Sequence, residues 1–406
     1  MPAHALHDLA IVLVSAATLL AIGFGRVPRV RLDRAAVAAV GALVVTLLEG
    51  QGVQGLWRAI DGRVLLLLLA VMIVNAGLAD AGAFRYLAFA VAARTSSPRA
   101  LVVALVAVAG FLSALFLNDT VVLMLTPLVV TLARRLRVRP LPYLLALAMA
   151  ANAGGVATLT GNPQNVLVGV AAGIDYLRFA SALAPIALLS LAVVAGAVLT
   201  LFRNELAGPV TKAPAAEPPA LRRGRLAVTA AIALGMVAAF VARVPPAEAA
   251  LAAAGLVMAT APRRAGALLG RVDVRLLVLF AGLFVIVAAL AATPVAASML
   301  LWASQAGSVG LMALVALASN LLSNVPAVMV LLPAATSAGI PERALQLAMA
   351  STLAGNLTLV GSVANLIVAE SARRAGAEVD FWSYARVGVP VTLLTLTLGG
   401  LWLAWA

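Results

Sequence analysis

Whatever residues 147–168 fold into, residues 347–368 must fold into as well. The two strings, LAMAANAGGVATLTGNPQNVLV and LAMASTLAGNLTLVGSVANLIV, align without a gap. They agree at Leu147/Leu347, Ala148/Ala348, Met149/Met349, Ala150/Ala350, Gly155/Gly355, Thr158/Thr358, Leu159/Leu359, Gly161/Gly361, Asn165/Asn365 and Val168/Val368. In both copies an apolar start runs into Gly, Thr and Asn, which predicts a helix interrupted at the same place twice. Duplicated breaks of this kind pack around one shared centre in membrane proteins.

Composition fixes the medium. The 406 residues are 64% hydrophobic and 11% charged, with a mean hydropathy of +1.10, whereas soluble domains carry about 25% charge. Apolar runs such as 64–78, 276–290 and 387–406 reach, alone or with their flanks, the roughly 20 residues that cross a bilayer as helix. No series of ten-residue alternating strands is present, which excludes the barrel solution. A net charge of +13 raises the alternative of nucleic acid. The positions of the basic residues exclude it, because they fall on alternate connections. With the N-terminus and C-terminus outside, Arg58, Arg63, Arg178, Arg243 and Arg343 are outer, and the other 23 of the 28 Lys and Arg residues are inner. The expected location is the bacterial inner membrane, multi-pass, with anionic lipid as a partner and no nucleic acid. The first 25 residues lack a basic start, His4, His7 and Asp8 standing before the apolar run, so they read as a retained helix rather than a secretory signal.

The trace requires two stretches, 100–133 and 309–338, to enter and leave on one side as re-entrant hairpins. They match each other at Ser113/Ser319, Leu115/Leu321, Asn118/Asn324, Val122/Val328, Leu125/Leu331 and Pro127/Pro333. Weaker echoes pair Asp61 and Arg63 with Asp273 and Arg275, and Asp175 and Pro185 with Asp380 and Pro390. The predicted fold is an all-α polytopic membrane protein, an inverted repeat of about ten spanning helices with two re-entrant hairpins and two discontinuous helices. Scaffold helices occupy 1–60. Repeat one follows over 61–203, with its broken helix at 143–172. A Pro-rich cytoplasmic linker at 204–224 leads to scaffold helices at 225–272, and repeat two covers 273–406, with its broken helix at 344–372.

At the hairpin tips, Asn118 and Asn324 stand where the chain reverses within the membrane and leaves peptide groups without helical partners. Helix N-termini there favour an anion, while free carbonyls and Asn oxygens favour a small cation. Gly161 and Pro163 break the first discontinuous helix and Gly361 the second. The side chains of Thr158, Thr160, Asn162, Asn165, Thr358, Ser362 and Asn365 are predicted to line the gap, with Thr120 and Ser323 beside the tips. Simple capping of broken helix ends is the competing reading. Asp119 is the sharpest single residue, since an ionisable group at that depth costs about 2.5–3.5 kcal/mol unless solvated or paired. It suits a proton carrier or a cation ligand, and the competing reading is an N-terminal cap of the returning helix. Its counterpart is Val325. A coupling ion, H+ or Na+, is the only cofactor expected, with Na+ at Asn118, Asp119, Asn162 and Asn165. Asp80, Glu370, Glu49 and Asp273 fall near span ends, where exposure accounts for them, and His4 and His7 fall in an exposed tail.

These blocks, FLNDTVVLMLTP, T-L-x-G-N-P-Q-N and G-S-x-x-N-L-I, resemble the ion transporter superfamily over nearly the whole chain. That superfamily includes arsenite permeases, NhaD-type sodium/proton antiporters, and citrate and divalent-anion symporters, and the chain is similar above all to its uncharacterised bacterial anion permeases. The resemblance implies a scaffold domain, a transport domain, a homodimer and elevator-like movement. The symporters' Ser-Asn-Thr tips fall on Leu117-Asn118-Asp119 and Ser323-Asn324-Val325. The first tip has gained a carboxylate that would repel a divalent organic anion. The function expected is therefore secondary active transport of a small anion or oxyanion, inorganic or organic, coupled to H+ or Na+ by alternating access. Arsenite or antimonite efflux and sodium/proton antiport are the alternatives. A membrane-embedded enzyme lacks support, there being no Cys and no buried His to build its chemistry.

Overall fold

The computed structural model describes residues 3–24, 33–50, 52–95, 97–207, 220–337 and 339–405. Of the expected linker, residues 208–219 lie outside these, as do Arg26, Arg29 and Arg31 of the first basic connection.

The described residues form twenty α-helices in two series of ten that follow the same order. The first comprises α1 (Ala3–Phe24), α2 (Arg34–Glu49), α3 (Gly52–Ala59), α4 (Gly62–Ala81), α5 (Ala83–Arg94), α6 (Pro98–Leu115), α7 (Asn118–Arg135), α8 (Leu141–Gly155), α9 (Pro163–Ala172) and α10 (Tyr176–Leu201). The second comprises α11 (Arg223–Val241), α12 (Pro246–Ala259), α13 (Ala265–Leu269), α14 (Val274–Ala291), α15 (Pro294–Gln305), α16 (Ser308–Leu322), α17 (Asn324–Thr336), α18 (Pro341–Ala354), α19 (Val363–Arg374) and α20 (Phe381–Trp405). Each helix of the first series thus has its counterpart ten places later.

Local chemistry explains why the series match. Asp61 and Asp273, aligned in sequence, are the N-caps of α4 and α14, accepting from the backbone N–H groups of Arg63 (2.9 Å) and Leu276 (3.2 Å). Asp175 caps α10 through Arg178 N–H (2.8 Å), and Asp380 accepts from Ser383 N–H (2.9 Å) at the start of α20. Such caps satisfy first-turn donors that have no intrahelical partner. Proline recurs inside α7 and α17, at Pro127 and Pro333, and inside α10 and α20, at Pro185 and Pro390.

Packing repeats too, across the series. Helix α6 lies along α8 as α16 lies along α18, and α10 and α20 each flank the broken helix of their own series and each other. The returning helix α7 packs on α19 of the second series, while α17 packs on α9 of the first. The opening pairs are exchanged: α2 lies along α14, and α12 along α4. A glycine permits the tightest of these crossings, since a Cβ at Gly154 of α8 would collide with the Gly110 backbone of α6.

Seven helices, α1, α4, α6, α10, α11, α14 and α20, are each long and apolar enough to cross a membrane. Helices α2 and α12 are shorter, and α8 with α9, like α18 with α19, are half-helices in tandem. The chain is a multi-pass membrane protein. His4 and His7 lie within α1 rather than in a tail, and a His7 ring nitrogen is 3.0 Å from the Leu48 carbonyl oxygen.

Candidate functional site

The two hairpin tips meet the two helix breaks. Backbone N–H of Asn118 donates to the Gly161 carbonyl (3.0 Å). With its amide nitrogen turned toward the nearby acceptors, Asn324 donates to the carbonyls of Gly361 (2.9 Å) and Ser351 (3.1 Å). Neither glycine has room for a side chain: a Cβ at Gly161 meets the Gly155 and Ser113 carbonyls, and one at Gly361 lies 2.6 Å from Asn320 Oδ1.

Asn165 and Asn365 perform identical tasks. Asn165 Nδ2 donates to the carbonyls of Gly155 (2.8 Å) and Thr158 (2.8 Å), and Asn365 Nδ2 to those of Gly355 (2.7 Å) and Thr358 (3.2 Å). Each amide thus satisfies the carbonyl that ends the first half-helix, Gly155 or Gly355, and adds a second donor to the Thr158 or Thr358 carbonyl, which also accepts from the N–H of Gly161 (3.3 Å) or Gly361 (3.1 Å). Thr158 donates to the Ala114 carbonyl and stands 3.3 Å from Thr160 Oγ1, while Thr358 donates to Asn320 Oδ1 (3.0 Å). These residues brace the breaks.

Asn162 and Ser362 occupy N-cap positions of α9 and α19, with extended backbones, yet neither side chain makes the capping bond. Both reach into the opposite series. Asn162 Nδ2 donates to Thr352 Oγ1 (3.4 Å), joined there by Gln164 Nε2 (3.1 Å). Ser362 Oγ donates to Asn152 Oδ1 (3.2 Å). Asn152 is the hub, accepting also from Asn118 Nδ2 (3.0 Å) and donating to Asn356 Oδ1 (2.9 Å) and Asn365 Oδ1 (3.0 Å). Asn152 and Thr352 are equivalent positions of the duplicated string, so each half contributes one polar residue that receives the other half's break.

Above this braced floor lies a small cavity of about 30 Å3. Asn118, Asp119, Ser323, Asn324 and Ser362 line it, as do Arg34 and Gln164, with Ile22, Leu276 and Leu279 among its apolar walls. Thr120, Thr158, Thr160, Gly161, Asn162, Asn165, Thr358, Gly361 and Asn365 do not line it. Asp119 is half-buried in the first turn of α7. Its neighbours in charge are Arg34, at the start of α2, and Asp273, the cap of α14. Arg34 faces Asp119 without an ion-pair contact, and its enclosed Nη2 has no hydrogen-bond partner among the described residues. The Oδ1 atoms of Asn162 and Asn165 are likewise enclosed and unpartnered. Hard oxygen donors of this kind suit a small cation. Among the described residues no cluster of His, Cys, Asp or Glu forms a metal site.

Ser323, between α16 and α17, is held at φ 78° and ψ 158°, whereas Leu117 at the first tip has an unstrained φ of −54°. A non-glycine residue in that region costs on the order of 1–3 kcal/mol and persists only where the surroundings enforce it.

Asn152, Thr352, Gln164 and Arg34 belong to the site although none of the sequence motifs above singles them out. The first two are the polar exceptions in aligned Ala- and Leu-rich runs, a signal that was present. Arg34 carries no such mark, being one arginine among those of a basic connection. Asp80, placed by sequence among the exposed span ends, has a side chain only 7% exposed and tied to three arginines, because α11 and the segment before α13 fold over the end of α4.

The chain is similar to known proteins. A model of the citrate transporter family CitMHS matches residues 17–354. A 46 kDa membrane protein of Mycobacterium leprae is 30% identical, over 96% of this chain and 98% of that protein. The silicon efflux transporter LSI3 of rice, Oryza sativa subsp. japonica, is 30% identical over 93% of both chains. The crystal structure of the YdaH transporter of Alcanivorax borkumensis shares the fold, with a TM-score of 0.61 at 15% identity over 98% of each chain. All of them fit the ion transporter superfamily.

Proposed function

The chain belongs to the citrate transporter family, and from that premise we propose that it is a secondary active transporter of a small oxyanion or its oxyacid, with a proton carried at Asp119. The observation that carries this reading is the facing of Asp119 and Arg34 within one cavity lined by both hairpin tips. Arg34 supplies the positive charge an anion needs. Asp119, when ionised, competes for Arg34 and repels the anion; when protonated, it does neither. Substrate and proton are therefore taken up together at one site. Cavity size favours a small substrate: about 30 Å3 holds only a few atoms, against the roughly 300 Å3 or more of pockets for larger ligands. A relative named for silicon efflux suits the same chemistry, a hydroxylated oxyacid held by Asn and Ser side chains, and arsenite belongs to the same class.

Helix order, exchanged packing and matched bonds support two halves inserted in opposite directions, with both termini outside the bacterial inner membrane. Alternating access then consists of the hairpins and broken helices moving against α2, α4, α12 and α14, in a homodimer. A sodium-coupled version draws support from the unpartnered Oδ1 atoms of Asn162 and Asn165.

The test is purified protein in liposomes containing a pH dye, challenged with arsenite, silicate, a panel of oxyanions, and sodium. Substrate-dependent proton movement is expected, and Asp119→Asn is expected to abolish it. Unchanged pH dependence and affinity in Asp119→Asn would refute the proton role. Proton movement driven by sodium with no oxyanion present would replace the reading by antiport.

A further inference from the structure

A second and larger cavity, about 390 Å3, lies between α4, α11, α12 and α13 and shares no lining residue with the first. Gly77, Val228, Val257 and Leu268 give it apolar walls, and Asp80 and Arg225 give it a charged mouth. The Asp80 carboxylate is buried and meets three guanidinium groups, those of Arg225 (2.5 Å), Arg264 (2.8 Å) and Arg222 (3.1 Å). One carboxylate neutralises one of them. Among the described residues, none of the three arginines forms an ion pair with any other acid. Each engages Asp80 through a single nitrogen, leaving further N–H groups of a planar fork suited to phosphate oxygens. Among the described residues the mouth therefore carries a surplus of about two positive charges, held in position by the aspartate.

Its level in the membrane follows from sequence. Asp80 ends the apolar helix α4, and Arg222 and Arg225 flank the start of the apolar helix α11, so the charges lie at a membrane surface. Val228 and Leu234 continue along α11 with 45% and 68% exposure. Val228 both lines the cavity and is exposed, so the apolar cavity opens onto an exposed apolar flank of α11 beside the charged mouth.

We propose that this cavity binds the phosphate diester of an anionic phospholipid, with Arg222, Arg225 and Arg264 on the phosphate and an acyl chain along α11. Basic pockets between membrane helices recognise acidic headgroups by this chemistry. Inorganic phosphate presents the same oxygens, so the two sources must be separated experimentally.

The full chain, purified in a mild non-ionic detergent, is to be examined by native mass spectrometry and thermal melting. The arms are phosphatidylglycerol, phosphatidylcholine and inorganic phosphate at matched concentrations. Phosphatidylglycerol is expected to be retained and to raise the melting temperature, with neither effect from phosphatidylcholine. Arg222→Gln combined with Arg264→Gln leaves the Arg225–Asp80 pair to hold the fold. It is expected to weaken retention roughly 30-fold, while Arg178→Gln at a distant ion pair changes nothing. Equal retention of the two lipids, or undiminished retention by the double variant, overturns the proposal. Protection by inorganic phosphate alone overturns the lipid assignment and makes the site one for free phosphate.

Discussion

Asn152→Ala probes the joint between the two halves. The amide it removes makes four hydrogen bonds, to Asn118, Ser362, Asn356 and Asn365, and all five side chains are buried. Truncation leaves two donors and two acceptors without that partner, in a place water does not readily reach. Side-chain hydrogen bonds between membrane helices average about 0.6 kcal/mol each, and buried ones in water-soluble proteins about 1 kcal/mol. Four of them predict a loss of about 2–4 kcal/mol. Thr352→Val, at the equivalent position, removes one hydroxyl that accepts from Asn162 and Gln164, and its loss is expected to be about half as large. Reversible unfolding by SDS titration in bicelles, followed through the five tryptophans, measures both. A loss below about 0.5 kcal/mol for Asn152→Ala would show that the network does not hold the halves together, and the account of the braced floor would fail.

Three further outcomes follow from particular contacts. Gly154→Ala forces α6 away from α8 and is expected to cost about 1–3 kcal/mol in the same titration, whereas Gly196→Ala, where an added Cβ meets nothing, is expected to be neutral or stabilising. Ser323→Gly relieves the positive φ and is expected to hold or raise stability, while the β-branched Ser323→Val lowers it by about 2 kcal/mol or more; equal stabilities would remove the case for strain at the second tip. Arg34→Gln removes the cavity's positive charge and is expected to raise KM for an anionic substrate roughly tenfold to a hundredfold, the worth of a charged hydrogen bond. A neutral oxyacid is expected to be affected far less, so the ratio of the two in flux assays tests the role given to Arg34.

The breaks were legible because interrupting a membrane helix takes unusual residues. Gly161, Pro163 and Gly361 stand out in an apolar run, and the clamps Asn165 and Asn365 were found by alignment alone. Aligned Asp61 and Asp273 were visible as an echo, whose meaning as helix caps required the backbone. What could not be read was the partner of each face. Helix α2 lies on α14 and α12 on α4, a choice among apolar surfaces of similar composition that no local pattern records. Arg34 is unmarked in sequence and Asp80 reads as exposed for one reason: position along a span gives depth but not what folds over it. In sequence both sit near helix ends, where solvent is the default neighbour, and tertiary packing encloses them.

The matched bonds and the unmatched charges do different work. Asn165 and Asn365, or Asn152 and Thr352, serve both halves alike and so hold a geometry that survives exchange of roles between them. Asp119 and Arg34 have no such counterparts: the equivalent residue of the second tip is Val325, and the first residue of α12, where α2 begins with Arg34, is Pro246. Moreover, Asp119 belongs to α7, whose buried side chains pack with α6 and α8, whereas α2 packs into a separate core with α4, α12 and α14, to which α9, α17 and α18 also contribute. Under the proposed mechanism α7 shifts against α2. Asp119 then has Arg34 as its neighbour in one arrangement and loses it in the other, and no second-half pair restores the contact. An ionisable group whose counter-charge is present in one state and absent in the other binds its proton differently in the two, which is the thermodynamic requirement for coupling. Placing Arg at position 325 or Asp at position 246 would add charge without recreating that change of neighbour, and neither is expected to rescue Asp119→Asn.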